Sequence, residues 1–428
     1  MKITKHFRIE LMDRLWATVF ALALLFAAGL FAFTQDAVAA EKKVEAADAD
    51  QGDIIKLNPK DESIGFTRTL LRDTSKDPKR EPGPINIQRT DFGLAYTGIP
   101  TFFRLPVALT PDDLKAGKVD VAIMGASVDL SISRRGAGWT PQAFRTSEVY
   151  LPWGKGAELN SLHVDLNPFE ELVCVDYGDA PIDPFSYEKS IAPVSNMVAE
   201  IAGAGSVPII IGGDHSLMYM TVRGIADVYG RGKVGVIHFD AHVDAEAVGI
   251  GHILTHGSPV RLLIEEGHVK GENFVQIGLR GWMIGPHLIE WMRKHKINSH
   301  FMAEIEKDGW DKVMEGALKE AKSGGVEKIF ISFDIDAMDP GVAPAAASPE
   351  ANGLTPREVF PILRALAIQN EIVGMEMVEI NALLDTNGAT MLLANRIVRE
   401  VLVGMALRKK GIEDPKYVDP DLITHANQ

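Results

Sequence analysis

Eight short apolar runs separated by longer segments constrain the fold of this 428-residue chain more than any other feature of its sequence. Each run is short enough to be a buried strand, and several of the intervening segments have the spacing of amphipathic or apolar helices. Strands that alternate with helical crossovers form a parallel sheet covered by helices. The sequence therefore predicts an α/β domain. The predicted strands are 119–125, 172–177, 207–211, 234–239, 273–279, 297–303, 329–334 and 373–380.

Six segments between or after these strands are predicted to be helices. The start of one is clearly marked, because Thr355 is a suitable N-cap, Pro356 fits the first helical position, and Glu358 stands at the spacing of a capping box. The six predicted helices are 187–204, 216–229, 286–296, 310–322, 356–368 and 388–408.

The first 40 residues are expected to lie outside the fold. Basic residues precede an uncharged run over 15–33, and Ala37 to Ala40 offer small residues at the spacing of a cleavage site. This layout is typical of a secretory signal peptide, and an uncleaved membrane anchor is the alternative. We therefore expect an exported, periplasmic or secreted protein that contacts a membrane only through this segment, if at all.

Composition indicates the remaining divisions of the chain. Residues 41–53 are rich in Ala, Glu and Asp and are expected to form a solvated linker. Residues 54–118 are predicted to be an N-terminal extension packed on the main domain, 119–410 to be that domain, and 411–428 to be a C-terminal tail. The net charge of −14 argues against nucleic acid as a partner. The single cysteine, Cys174, excludes an internal disulfide.

Histidine and aspartate side chains are concentrated directly after three of the predicted strands. In an extended chain, side chains two residues apart point to the same face, so Asp240, His242 and Asp244 are expected to project together. The carboxyl ends of parallel strands meet at one edge of a sheet, where sites form. We therefore expect one cluster at that edge. Its members are His215, Asp240, His242, Asp244, Asp334 and Asp336.

This set of side chains suits a pair of divalent metal ions. The four aspartates carry four negative charges, which two divalent cations balance, and the two histidines are neutral ligands. Mostly oxygen ligands favour octahedral Mn²⁺ over tetrahedral Zn²⁺, and Ni²⁺ is also allowed. Two metals about 3.5–4 Å apart lower the pKa of a shared water, so the predicted reaction is hydrolysis at an electron-poor carbon or phosphorus.

Each part of the cluster also has a structural alternative. His215 follows Gly-Gly-Asp and would fit a turn, the 240–244 segment would fit a solvated strand end, and Asp334 and Asp336 would fit turn residues. Taken together, six ligand-type side chains at three strand ends are costly to bury without a cation, because they lose solvation and repel each other. The joint pattern therefore favours a metal site.

Three motifs resemble the signature motifs of the ureohydrolase family, which includes arginase, agmatinase and guanidinobutyrase. They are Gly-Gly-Asp-His-Ser over 212–216, Asp-Ala-His-Val-Asp over 240–244 and Ser-Phe-Asp-Ile-Asp-Ala-Met-Asp-Pro over 332–340. The resemblance spans about 98–408 and is to the agmatinase-like branch. It implies a three-layer α/β/α fold with a central eight-stranded parallel sheet, a binuclear manganese site, and hydrolysis of a guanidino group to urea and an amine. It also implies a homo-oligomer, trimeric or hexameric.

The resemblance implies a role for each matching position. His215 and Asp244 would bind one metal, His242 and Asp336 the other, and Asp240 and Asp334 would bridge them. His256 matches the histidine that gives a proton to the leaving amine, and Glu379 matches the carboxylate that holds the guanidinium. From the residues alone, His256 would be interpreted as a loop histidine and Glu379 as an ion-pair partner.

The loop 245–255 is expected to select the substrate. Arginases have an asparagine two residues after the last metal aspartate, and this chain has Glu246 there, which argues against arginine and favours a cationic tail such as that of agmatine. His252 lies in the same loop. Guanidinobutyrate, guanidinopropionate and free guanidine stay open as substrates. A binuclear phosphoesterase and a non-enzymatic binding protein on this fold are the rival classes, although the chain lacks the Gly-Asn-His motif of the former.

Overall fold

A parallel sheet of eight strands is the core of the part of the chain that the structure describes. The computed structural model describes residues 78–89, 97–147, 161, 163–282 and 285–420. Its strands are β1 Val121–Ala126, β2 Cys174–Asp179, β3 Val207–Gly212, β4 Val234–Phe239, β5 Phe274–Leu279, β6 Asn298–Phe301, β7 Lys328–Asp334 and β8 Glu371–Val378. They lie in the order β2-β1-β3-β8-β7-β4-β5-β6, and every neighbouring pair is parallel. The predicted α/β fold with eight parallel strands is confirmed.

Eleven α-helices connect or flank these strands among the described residues. They are α1 Pro111–Gly117, α2 Thr140–Thr146, α3 Pro168–Glu171, α4 Tyr187–Gly203, α5 Leu217–Tyr229, α6 Pro259–Glu265, α7 Pro286–Lys294, α8 Met302–Asp308, α9 Trp310–Ala321, α10 Pro356–Gln369 and α11 Ala389–Lys409. All six predicted helices are present. The five that were missed have seven residues or fewer, too few for an apolar period to stand out.

The capping box predicted for α10 is confirmed. The amide and hydroxyl of Thr355 both donate to Glu358 Oε2 at 2.8 Å, and Pro356 occupies the first turn. Several predicted strand bounds differ from the observed ones by one or two residues, and two strands end earlier than predicted. The strand predicted over 297–303 ends at Phe301, because Met302 begins α8. The last strand ends at Val378 because Glu379 has a φ of +62°.

The two faces of the sheet differ in chemistry. One face is apolar across the strands, with residues such as Ile237 and Ile331 in a core that includes side chains of α9, α10 and α11. The other face is covered in part by α5, whose Thr221 bonds Glu376 of β8. This second face carries polar residues inside the core, and it leads directly to the predicted cluster.

Residues 1–77 lie outside the described residues, so the predicted signal peptide or anchor over 1–40 and the linker over 41–53 stay predictions. Within the part of the chain that is described, no helix is both long and apolar enough to cross a membrane. The described part of the predicted N-terminal extension contacts the main domain, since Phe102 is buried and its amide donates to Asp176 at 3.0 Å.

Candidate metal centre and substrate cavity

The predicted site residues follow the carboxyl ends of four adjacent central strands. In the sheet order, β3, β8, β7 and β4 are neighbours. His215 follows β3, Glu379 follows β8, and the remaining metal candidates end or follow β7 and β4. Parallel strands place these ends at one edge of the sheet. Residues 164 positions apart in sequence therefore come into contact, since the backbone amide of His215 donates to the Glu379 carboxylate.

His215 is the centre of the first group of ligand-type atoms. Its ring is fully buried. Its Nδ1 makes no hydrogen bond. The nearest oxygens to that nitrogen are Oδ2 of Asp240 at 2.9 Å, Oδ2 of Asp244 at 3.0 Å and Oδ2 of Asp334 at 3.1 Å. One nitrogen and three carboxylate oxygens thus face one another, as ligands of a single metal ion do.

Hydrogen bonds on the far side of the His215 ring fix its tautomer. Ser332 donates its hydroxyl proton to Glu376 at 2.7 Å, so the Ser332 oxygen must accept from Nε2–H of His215, 3.0 Å away. The lone pair of Nδ1 then points at three carboxylates. Such a contact between a lone pair and anionic oxygens is repulsive unless a cation lies between them. Binding a metal through Nδ1 requires this same tautomer, because the proton must then be on Nε2.

A second group is built around His242. Its Nδ1 lies 3.0 Å from Oδ2 of Asp336 and 3.5 Å from Oδ1 of Asp240. Oδ2 of Asp336 is buried without a hydrogen-bond partner. Asp240 therefore offers one oxygen to each group, which is the arrangement of a bridging carboxylate. Oδ1 of Asp334 accepts from the Asp336 amide at 2.7 Å, so its Oδ2 is the oxygen that faces the His215 group.

The local chain geometry differs from the extended alternation that the sequence predicted. Strand β4 ends at Phe239, and the chain bends through 241–242. Asp244 has a φ of +49°, a conformation that is uncommon for a residue with a side chain. The three ligand candidates converge through this bend and not through a continued strand. The predicted alternation was the wrong reason for this convergence, because the bend turns the His242 amide back to Oδ1 of Asp240, a contact that an extended strand does not make.

The charges of the cluster favour a bound cation. Burial alone lowers the pKa of His215, but its carboxylate contacts outweigh burial and raise that pKa well above its ordinary value. Burial and neighbouring carboxylates raise the pKa of Asp334 well above its usual range, and they also raise the pKa of Asp336. The cluster therefore holds more negative charge than its histidines balance. With the orphaned Nδ1 of His215, this shows that the residues fit a divalent metal pair.

A cavity of about 350 Å³, here called the metal-site cavity, opens over both groups. Glu379 lies at its wall, with Oε1 accepting from the His215 amide at 2.8 Å and Oε2 buried without a hydrogen-bond partner. Burial and the charge of Asp214 raise the pKa of Glu379 well above its usual range. His256 lines the same cavity, and its Nδ1 lies 3.6 Å from Glu379 Oε1. Both predicted catalytic side chains therefore face the metal groups.

A second cavity, here called the outer cavity, has a volume of about 340 Å³ and shares Ile132, Glu246 and His256 with the first. Glu246 is exposed and lies between the two cavities. His252 is also exposed and lines the outer cavity only, away from the metal groups. A larger cavity of about 680 Å³ lies between α9 and α10, and no histidine or predicted site residue lines it.

Several buried polar residues around the site were not predicted. His238 lies 2.8 Å from Asp240 Oδ2 through its Nε2, and Gln276 contacts His238 in turn. Arg280 lines the metal-site cavity, but its N–H groups point at backbone oxygens, including those of Asp336 and Glu350. A histidine or glutamine inside an otherwise apolar strand was the available signal, because a buried polar group needs a partner.

Comparison with known proteins agrees with this geometry. A sequence profile described as the Arginase family matches residues 119–404. The chain belongs to the arginase family. This assignment confirms the predicted ureohydrolase family and the predicted enzyme class, a metal-dependent hydrolase.

Individual relatives of this arginase-family protein cover most of its length. It is 31% identical over 342 residues to the mitochondrial guanidino acid hydrolase of Homo sapiens, spanning 79% of this chain and 90% of that protein. It is 30% identical to the mitochondrial agmatinase of Gallus gallus, spanning 78% and 94% of the two chains. Among solved structures, proclavaminate amidino hydrolase from Streptomyces clavuligerus matches at a TM-score of 0.63 and 30% identity, over 74% of this chain and all of that one.

The family implies a binuclear metal centre. A Trypanosoma cruzi formiminoglutamase whose structure contains two Mn²⁺ matches at a TM-score of 0.59 and 25% identity, over 68% of this chain and 95% of that one. Two overlapping groups of histidine and aspartate in the arginase-family chain described here are close enough to hold metal: His215, His238 and Asp240, and Asp240, His242 and Asp336.

Proposed function

We propose that this protein hydrolyses a guanidino compound with a cationic tail to urea and an amine, agmatine being the favoured substrate and Mn²⁺ the favoured metal. Nickel is the alternative metal. The relatives named above include both an agmatinase and a guanidino acid hydrolase, so family membership supports guanidino hydrolysis without selecting the tail. The selection rests on the side chains that line the two cavities.

Glu246 carries the proposal for a cationic tail. Its carboxylate is exposed and makes no hydrogen bond or ion pair with any described residue. It stands where the metal-site cavity meets the outer cavity, on the path of a tail that leaves the metal groups. Glu350 also lines the metal-site cavity and adds to its negative character. An amine on the substrate would gain a partner there, while a carboxylate would be repelled.

The residues around the metal groups have distinct tasks in this reaction. Divalent metal ions held by the two groups would lower the pKa of a water there, so that hydroxide would be available near neutral pH. The free Oε2 of Glu379 accepts N–H groups of the guanidinium and fixes its plane, a charge-assisted contact. His256 lines both cavities, so it stands between the reacting carbon and the tail. From there it gives the leaving nitrogen the proton that it needs.

One observation favours guanidino acids as the second candidate substrates. Arg135 lines the outer cavity, and its guanidinium is held by the backbone oxygens of Asp129, Leu130 and Ser131 at 3.2–3.3 Å. These contacts engage three N–H groups, and a guanidinium has five. The remaining donors would suit a substrate carboxylate.

The test is urea release from agmatine, guanidinobutyrate, guanidinopropionate, arginine and guanidine, with Mn²⁺ or Ni²⁺ added. Agmatine is expected to give the highest kcat/KM. Glu246→Gln should lower kcat/KM for agmatine about fivefold, the scale of an exposed ion pair, and should leave free guanidine unaffected. Guanidine has no tail, so it reports the metal groups alone.

Glu188→Gln is the matched control. Glu188 also lines the outer cavity, but its carboxylate already accepts from the Ser186 hydroxyl at 2.9 Å. The same loss of charge there should change the agmatine rate little. A higher kcat/KM for guanidinobutyrate than for agmatine, reduced by Arg135→Gln, would replace the agmatine proposal with the guanidino-acid one.

A further inference from the structure

Five strands of the sheet carry a polar side chain at the same level, directly below the metal groups. The residues are Glu376 on β8, Ser332 on β7, His238 on β4, Gln276 on β5 and Ser299 on β6. Each is the register partner of the next: Ser332 pairs with Glu376, His238 with Ser332, Gln276 with His238, and Ser299 with Gln276. We call these five residues the polar row.

The polar row lies inside the hydrophobic core. Four of its members are fully buried, and Ser299 is half-buried. A buried polar side chain costs free energy unless it is hydrogen-bonded. Every buried polar side-chain atom of the five has a partner, because none of them is among the unsatisfied atoms of the described residues. The hydrogen bonds within the row form two groups, Ser332 with Glu376, and His238 with Gln276 and Ser299. Buried polar side chains on five neighbouring parallel strands are unusual, since such strands are normally apolar on both faces.

The ligand candidates occupy the next same-face positions along two of these strands. Asp240 follows His238 by two residues, and Asp334 follows Ser332 by two. Within the row, Ser332 fixes the tautomer of His215, as described above. His238 contacts Asp240, which offers one oxygen to each metal group.

The position of the proton on the His238 ring follows from the hydrogen-bond donors around that ring. Gln276 Nε2 donates to the backbone oxygen of Val243 at 2.8 Å and lies 3.2 Å from His238 Nδ1. An amide nitrogen cannot accept, so Nδ1 of His238 is the acceptor in that contact. A neutral imidazole then carries its proton on Nε2, which lies 2.8 Å from Asp240 Oδ2. Nε2–H of His238 therefore donates to the bridging carboxylate.

We propose that His238, held by Gln276, is a positioning residue for the metal pair: it orients Asp240 by donating to Oδ2, and it is not itself a metal ligand. The proposal rests on the metal-dependent function proposed above. His238 stands next to His215 and Asp240, and the three could be read as one metal-binding trio. The Gln276 contact argues against that reading, because it leaves Nε2 protonated and directed at a carboxylate.

The test measures metal binding to the purified full chain, separately from activity. Apo-protein is titrated with Mn²⁺, and metal per chain is measured by elemental analysis after dialysis against limiting free Mn²⁺. His238→Phe keeps a ring but removes the donor, and should weaken Mn²⁺ binding about 10- to 100-fold, the usual effect of losing a partner of a metal ligand. His238→Gln should restore binding, because its amide can accept from Gln276 and donate to Asp240.

Gln276→Met is the second variant, for the case in which His238→Phe does not fold. Gln276 contacts no predicted ligand side chain, yet its loss frees Nδ1 of His238 and should weaken Mn²⁺ binding in the same direction. His300→Phe is the matched control. His300 is a buried histidine of β6 that contacts Glu304 and Glu320, so its loss should lower stability without changing Mn²⁺ affinity.

The possible results distinguish this proposal from its alternatives. Unchanged Mn²⁺ affinity in His238→Phe would overturn the proposal. Equal weakening in His238→Phe and His238→Gln would also overturn it, in favour of direct ligation or of packing of the ring against His215. A wild-type protein that binds no Mn²⁺ or Ni²⁺ and releases no urea from the guanidino panel would instead refute the function proposed above.

Discussion

At the scale of single residues, two predicted site residues have backbone conformations that side chains disfavour. Asp244 has a φ of +49° and Glu379 a φ of +62°. Such residues cost of order 1–3 kcal/mol each and are kept where the surroundings require them. The Glu379 amide donates to Gly213 and its carbonyl accepts from Ala347, both within 2.9 Å, which fixes this conformation. The strain directs the Glu379 carboxylate into the metal-site cavity.

Replacing Glu379 with Gln should separate metal binding from turnover. The substitution keeps the size of the side chain and its contact with the His215 amide, so metal content per chain should stay at the wild-type value. It removes the charge that faces the substrate cation, and breaking a buried charge pair costs about 2–5 kcal/mol. We therefore expect kcat/KM for urea release to fall by roughly 30-fold or more.

Glu350→Gln is the control for this prediction. Glu350 lines the same cavity, but it is only half-buried and lies in a different loop from Glu379. Its loss should change kcat/KM far less. Retained turnover in Glu379→Gln with full metal content would refute the role assigned to Glu379.

The sequence identified the residue types at the site better than their geometry. His215, Asp240 and Asp334 stand beside apolar runs, so a motif and a strand pattern were enough to bring them together. The buried residues that hydrogen-bond to these ligand candidates or to their neighbours were missed, because those contacts run between different strands. His238 and Glu376 read as isolated polar residues within apolar runs until the register of the sheet is known.

At the scale of elements, the turn after β3 is the tightest point of the site. A Cβ added to Gly213 would lie 1.6 Å from the backbone oxygen of Val128. The amide of Gly213 donates to Ala126, and its carbonyl accepts from Glu379, each at 2.9 Å. Only a glycine allows the chain to pass between these two segments. Gly213 therefore sets the position of His215 and of Glu379 together.

Gly213→Ala should consequently destabilise the protein and lower its metal affinity. The clash is with backbone and cannot be relieved by a rotamer change, and overpacking of this kind costs about 1–3 kcal/mol. Gly316→Ala is the matched control, since a Cβ there meets nothing within 4 Å. In helix α9 that change should stabilise by about 0.5–1 kcal/mol. Denaturant unfolding with and without Mn²⁺ measures both, and a neutral Gly213→Ala would contradict the expected clash.

The ends of helices and strands were predicted from the sequence only where local residues mark them. Helix α10 was predicted to within one residue because its capping box and proline lie next to each other in the sequence. The shift at the end of β8 depends on the positive φ of Glu379, which local composition does not indicate. The short helix α6 was missed because its seven residues are too few for an apolar period to stand out.

At the scale of the whole molecule, metal binding should be linked to folding stability. The ligand candidates come from three strand ends, so the unfolded chain has no comparable site. A ligand that binds only the folded state at 100 times its Kd stabilises by about 2.7 kcal/mol. Removing the metal with a chelator should lower Tm by roughly 3 °C for a chain of this size.

Scanning calorimetry or dye-based melting of the apo-protein and the Mn²⁺-loaded protein checks this. Asp240→Asn should abolish most of the difference, because it alters the carboxylate that faces both groups. If the protein binds metal but has the same Tm with and without it, then metal binding does not stabilise the folded state and the prediction is wrong.

The position of β8 has a consequence for how the protein acquires its metal. Of the strands that the structure describes, this is the last in chain order, yet it is inserted between β3 and β7 at the middle of the sheet. Until it arrives, the two halves of the molecule are not joined and His215 has no fixed distance from Asp334. A complete set of ligands for the ions is therefore expected only after β8 has been made and inserted. If the N-terminal segment sends an unfolded chain across a membrane, the ion that fills the centre is chosen by the supply on the far side and not by the cytosolic pool.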